Sequence, residues 1–349
     1  MGDIPAHSAF DPAPNEDQER EAVLSREYGF HLRPPPPPHQ LNKFITDDDQ
    51  LFQTIHMGAV HVDVDRWRLV VTGLVSHPFS LTLSQLKALP SRTVTSLHEC
   101  FGSPLKPAIN ALWRIGNVKW TGVPLRTLLD IARASKDATF IWSEGLDSGH
   151  FGGISADRYQ KDLPMTIALQ EQVLIVWEMN GQPLDFQRGG PVRLVVPGWF
   201  GTNSTKWLSK ITVQDKRSPS HFTTTFYNEH HPPDDPACVS RPVWKVQPNS
   251  LIHSPAQSSK IEGPEVTIEG WAWSNDGVAG VEISRDNGAA WIGAHVEERE
   301  DFSWQKFTAS LQCSKGEQTV LARATGTDGR VQPMKVGRNH VHRVSFEVV

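Results

Sequence analysis

Three cysteines occur in the chain, and Cys100 is the one placed where a thiolate could do chemistry. An apolar, β-branched run at residues 94–97 delivers it into the Gly/Pro-rich stretch Phe101-Gly102-Ser103-Pro104. A thiolate at a strand end, facing small residues, can bind a soft metal without burying a naked charge. A buried free thiol is the commoner fate of a lone cysteine, so this stretch alone leaves both readings open. The chain returns to ordered structure at Trp120-Thr121-Gly122-Val123-Pro124-Leu125.

The elements around that loop must come from a chain of 349 residues, long enough for two domains. Hydrophobic residues make up 38% and charged residues 21%, as in ordinary globular proteins. A net charge of −5 argues against nucleic acid and anionic membrane surfaces, both of which select basic proteins. No apolar run approaches the roughly 20 residues of a bilayer span. The acidic, polar start shows no signal peptide, and Cys100, Cys238 and Cys313 make an odd count without close pairing. A reducing compartment, by default the cytosol, is the expected location.

Residues 1–43 read as an extended, proline-rich arm, its run of Pro34 to Pro38 favouring polyproline II and serving as a spacer. Strands are predicted at 67–75, 140–147, 173–178, 191–198 and 206–213. Short helices are predicted at 80–90, capped by Thr82 or Ser84 and stopped by Pro90, and at 124–134. Such a mixture implies an α+β domain over 44–233. From Glu265 onward only strands and turns remain, including Asp286-Asn287-Gly288 and Thr327-Asp328-Gly329. Residues 234–349 therefore read as an immunoglobulin-like β-sandwich, a unit of about 100 residues.

In order along the chain, these residues resemble the sulfite oxidase family of molybdenum-pterin enzymes. Cys100-Phe101-Gly102 is similar to its molybdenum-cysteine loop, and Trp120 to Leu125 to the segment that follows. Glu178-Met179-Asn180-Gly181-Gln182-Pro183-Leu184, Pro191 to Gly198 and Lys206-Trp207-Leu208 match further family phrases. Trp271-Ala272-Trp273-Ser274, Ser284 to Gly288 and Trp291 match its C-terminal dimerisation domain. The resemblance implies a mixed α+β molybdopterin domain followed by an all-β immunoglobulin-like domain that makes a homodimer. It implies a molybdenum–molybdopterin cofactor. Residues 1–43 are too short and proline-rich to hold the haem module some members carry, so no haem is expected and electrons would pass to an external acceptor or to oxygen.

The same resemblance implies roles. Cys100 would ligate the metal, and Tyr227 would offer its hydroxyl to substrate or a metal-bound oxygen. Phe52, Thr54, Ile55 and His56 fall on the first pterin segment, Asp147 on a pterin-contacting aspartate, and Arg193 on an arginine whose guanidinium suits a phosphate. Ser204, Thr205 and Lys206 match a loop supplying further donors, and Arg188 stands where the family has histidine, as a phosphate contact or a solvated side chain. Cys238 and Cys313 match no ligand position.

Three expected cations are missing. Thr54 replaces an arginine, Ser103-Pro104-Leu105 stands where Asn-Arg-Arg is usual, and residues near Gly277-Val278 replace an arginine of the dimerisation domain. Lys106, Arg114 or Arg188 could restore part of the charge. The expectation is a molybdenum-pterin oxidoreductase for a small-molecule substrate, with sulfite as the family default and a less charged compound as its rival. A non-catalytic cofactor carrier or binding protein is the alternative outside enzymes.

Overall fold

A computed structural model of the chain describes residues 5–14, 17–103, 113–229, 240–335 and 337–349. The N-terminal part is built on two sheets. One has six strands in the order Asp11–Pro12, Phe79–Leu81, Leu69–Gly73, Leu208–Gln214, Phe140–Gly145 and Gln160–Pro164. Its neighbours are antiparallel except for the parallel pair Leu69–Gly73 and Leu208–Gln214. In the other sheet, Leu174–Met179 lies between Gln182–Pro183 and Ile115–Pro124, and the latter pairs with Arg92–Glu99, the strand that ends at Cys100.

Local chemistry explains the connections. Thr82 and Gln85 form a reciprocal capping box at the start of the helix Leu83–Lys87, which satisfies two otherwise orphaned backbone donors. The helix Leu125–Ala132 buries Leu125, Leu128, Leu129, Ile131 and Ala132, the apolar stripe expected of helical periodicity. Between the strands Leu174–Met179 and Gln182–Pro183, Asn180 and Gly181 take φ of 53° and 75°, the pair of left-handed conformations a tight hairpin requires.

The arm is not a spacer. Asp11–Pro12 pairs with Phe79–Leu81, Val23–Arg26 with Val60–Val62, and His31–Arg33 with Gln53–Ile55. Arg158 and Lys210 bond Asp17 and hold its carboxyl well below the usual carboxylate range. The proline run does keep the expected geometry at Pro37, with φ −57° and ψ 151°.

The C-terminal part is all β. Asn249–Ser254, Glu265–Trp273 and Gln305–Gln312 form one face. Val278–Ser284, Gly316–Gly326, Arg343–Val348 and Lys260–Ile261 form the other. Ile292–Val296 pairs with both, so the sandwich is closed along one side. Phe307, Phe346, Ile268 and Val320 fill its core.

A tryptophan seam joins the two parts. Trp271 and Trp304 stack at 4.7 Å and 7°, and with Trp273 they pack on Leu97, Trp113, Ile115 and Phe200. Each indole N–H is satisfied: Trp271 donates to Leu41 O, Trp304 to Phe44 O and Trp273 to a Glu99 carboxylate oxygen at 2.9 Å. Buried indoles with partners combine large apolar area with direction, so the seam fixes the strand that carries Cys100. Among the described residues, no helix is long and apolar enough to cross a membrane.

Candidate active site

Cys100 leaves its strand into a turn. Its N–H donates to Arg114 O at 2.9 Å and its carbonyl accepts from Ser103 N at 3.1 Å. The side chain is half-buried on the wall of a cleft enclosing about 720 Å³, open solvent included. Phe52, Thr54, Ile55, His56, Asp147, Arg188, Arg193, Ser204, Lys206 and Tyr227 line the same cleft. Six separated chain segments thus converge, around residues 52–56, 100, 147, 188–193, 204–206 and 227.

The cationic end is largely buried. Arg193 is buried, donates to Arg188 O and Ser204 O at 3.1 and 3.2 Å, and lies 5.1 Å over the Trp120 ring. Burial lowers its pKa to about 10. Lys206 Nζ donates to Thr54 O and Gln187 O, both at 3.2 Å. Burial, then the Arg193 charge, pulls it down to about 7. Asp147 is buried and pushed up to about 7. Desolvation disfavours whichever form is charged, which moves acids up and bases down.

The cysteine end is aromatic and hydroxylic. The Thr54 hydroxyl lies 3.8 Å from Cys100 Sγ. Tyr227, held at φ 57°, hydrogen-bonds through its hydroxyl to His56 Nε2. Burial pulls His56 down to about 3 and drives Tyr227 well above the ordinary phenol value, so both are neutral near pH 7. Tyr227 also packs beside the tryptophan seam, so it serves packing and cleft together.

Three expectations change. Thr205 is not on the cleft wall: it is fully buried and its hydroxyl pairs with Ser143 at 2.7 Å. Arg188 lines the cleft but is not solvated; it is buried and most of its donors are taken within the protein. Its guanidinium bonds Asp48 Oδ1, Asp48 O, Leu51 O and Phe52 O, bracing the Phe52 segment. Val278 lies in the core of the C-terminal sandwich, so that position is not at the cleft.

Of the substitute cations among the described residues, Arg114 reaches Thr54, the neighbour of Cys100. Its guanidinium donates to Thr54 Oγ1 at 3.4 Å and to Gly102 O. Leu105 and Lys106, like Cys238, lie outside the described residues.

His98, Gln53, Tyr159, Thr202 and Trp207 also line the cleft. His98 stacks on Phe52 at 5.5 Å and 12°, and burial drives its pKa far down. It stands two residues before Cys100 in an extended strand, and that alternation is the signal that places both on one face.

The donor set fits a pterin phosphate. Arg193 Nε and Asp147 Oδ1 are buried without a hydrogen-bond partner in the protein, each costing about 1–3 kcal/mol unless a ligand satisfies it. Among the described residues no cluster of three His, Cys, Asp or Glu side chains forms a metal site. A metal beside Cys100 therefore needs ligands that a cofactor brings.

The chain matches two family models: "Oxidoreductase molybdopterin binding domain" over residues 56–222, and "Mo-co oxidoreductase dimerisation domain" over 240–345. It is 30% identical over 382 residues to rat mitochondrial sulfite oxidase, covering 99% of this chain and 69% of that protein. Arabidopsis thaliana sulfite oxidase is 27% identical, with 86% of each chain covered. Nitrate reductase [NADH] 1 of Phaseolus vulgaris is 29% identical across 84% of this chain and 38% of its own length. The sulfane dehydrogenase SoxCD of Paracoccus pantotrophus has the same fold, with TM-score 0.78, 24% identity and coverage of 100% of this chain and 95% of that one. The chain belongs to the sulfite oxidase family and is a molybdopterin-dependent oxidoreductase.

Proposed function

We propose that Cys100 ligates the molybdenum of a bound molybdopterin cofactor and that the enzyme acts on a small substrate less charged than sulfite. The observation that carries this reading is the junction of two environments in one cleft: a thiol open to it at one end, and at the other a buried arginine and a buried aspartate, each with an unpartnered polar atom. Arg193, Lys206, Ser204 and Asp147 would hold the pterin and its phosphate, with His98 and Phe52 as flat neighbours. The bound group supplies two-electron or oxygen-atom transfer chemistry. Tyr227 and His56 are joined by a hydrogen bond beside the cysteine end of the cleft; where His56 Nε2–H donates to it, the Tyr227 hydroxyl keeps its own proton to donate to a substrate oxygen.

Charge supports the substrate class. Thr54 faces Cys100 at a position where the resemblance implies a cation, and the Arg114 guanidinium is engaged by Thr54 Oγ1 and Gly102 O. Each arginine missing from an anion pocket removes a charge-assisted hydrogen bond of roughly 1.5–3 kcal/mol. The enzyme works as a homodimer through its C-terminal domain and passes its electrons to an external acceptor. Steady-state assays with sulfite and an artificial acceptor at several ionic strengths test this. Sulfite turnover is expected to fall orders of magnitude short of that of a less charged substrate; a micromolar KM with rapid turnover would overturn it and make Arg114 the anion clamp.

A further inference from the structure

The C-terminal domain sends one guanidinium to the cysteine loop, from a position no family phrase marks. Arg338 lies in the loop between the strands Gly316–Gly326 and Arg343–Val348. Its Nε donates to Phe101 O at 3.0 Å, and its Nη2 donates to Cys100 O at 3.2 Å and Glu99 Oε1 at 3.0 Å. The centre of the guanidinium lies 5.1 and 4.3 Å from the rings of Phe101 and Phe200, which meet each other edge-on. Glu99 is fully buried, and its other oxygen accepts from Trp273.

We propose that Arg338 is a positioning residue for Cys100: it clamps three consecutive residues, Glu99 to Phe101, and so fixes where the thiol stands in the cleft. The proposal rests on the reading that Cys100 is the metal ligand. A planar fork can hold two carbonyls and a carboxylate at once, whereas an ammonium is a single point of contact. Because the fork comes from the second domain and Glu99 is bound from the same side by Trp273, the loop's geometry depends on the docked C-terminal sandwich. Outer contacts of this kind orient a metal ligand, and losing one costs about 10–100-fold in metal affinity or activity.

The test uses the full chain with Cys238 and Cys313 replaced by serine, so that Cys100 alone reports. Without cofactor, its alkylation by iodoacetamide is followed at a pH of about 10, where an ordinary thiol is already ionised. The rate then reads access rather than charge. Arg338→Met is expected to react several times faster than the parent, with Arg338→Lys closer to Met than to Arg. In cofactor-loaded protein, the Mo(V) resonance is expected to change from one species to several, and molybdenum retained through dialysis to fall about tenfold. Should Arg338→Met fail to fold, Arg338→Gln, which can still donate to one carbonyl, carries the same comparison. Unchanged alkylation would overturn the proposal. A parent protein that binds pterin but no molybdenum would overturn the ligand reading instead, while alkylation still decides the clamp.

Discussion

The two ends of the cleft are built on opposite principles. At the cationic end, Arg193 is buried and Lys206 half-buried, and both donate to main-chain carbonyls. At the cysteine end, the thiol is half-exposed and its neighbours are a threonine, a tyrosine and aromatic faces. Desolvated charges with unpartnered polar atoms suit one ligand that stays, because the ligand completes them. Beyond the thiol proposed to hold the metal, neutral hydroxyls and aromatic faces suit small ligands that come and go, because nothing there holds them strongly. The difference separates cofactor retention from turnover, and single substitutions can tell the two apart.

The largest effect is expected at the thiol. Cys100→Ser should abolish turnover while the protein keeps its pterin, since serine is a harder and weaker donor to a soft metal. Pterin content by fluorescence and molybdenum content by mass spectrometry separate the two quantities. Loss of pterin in parallel with activity would show that the ends are not independent.

A smaller effect, of the opposite kind, is expected from Lys206→Met. Removing one charge-assisted donor costs roughly 1.5–3 kcal/mol, or about 10–150-fold in cofactor affinity. Enzyme that retains the cofactor should turn over near the parental rate. A rate loss at full cofactor occupancy would assign Lys206 to the chemistry and erase the distinction.

How much of this was legible in the sequence follows the same division. The Cys100 loop, the hairpin at Asn180-Gly181 and the turn at Asp286-Asn287-Gly288 were readable because local rules dictate them; Asn287 and Gly288 sit at φ 61° and 90°. Ser204 and Lys206 are on the cleft, but Thr205 between them is buried against Ser143, since neighbours in an extended segment point opposite ways. The bracing role of Arg188 is not legible, because its partners at 48–52 are remote in the chain and a charged side chain is ordinarily exposed. The arm's strands are two to four residues long and draw their hydrogen bonds from distant segments, leaving no periodicity to detect. Arg338 is remote for the same reason: it meets Cys100 across more than two hundred residues, through a fold no local pattern encodes.

The smallest effect is a pH dependence that belongs to the cationic end alone. Lys206, held near 7 by burial and by Arg193, is charged below that pH and loses its proton above it. Asp147, pushed up to about 7 by burial, is neutral below that pH and becomes an anion above it. As pH rises from 6 to 8 the end therefore loses a positive charge and gains a negative one, and both changes oppose a bound anion. Sulfate keeps its charge throughout this range, so its affinity for the cofactor-free chain reads the protein's titration. Affinity is expected to fall about fivefold to tenfold between pH 6 and 8, as one interaction near 1 kcal/mol is withdrawn. Calorimetry at constant ionic strength checks it, with Lys206→Met as the reference in which most of the dependence should vanish. The same slope in Lys206→Met would assign the dependence to Asp147 instead of Lys206.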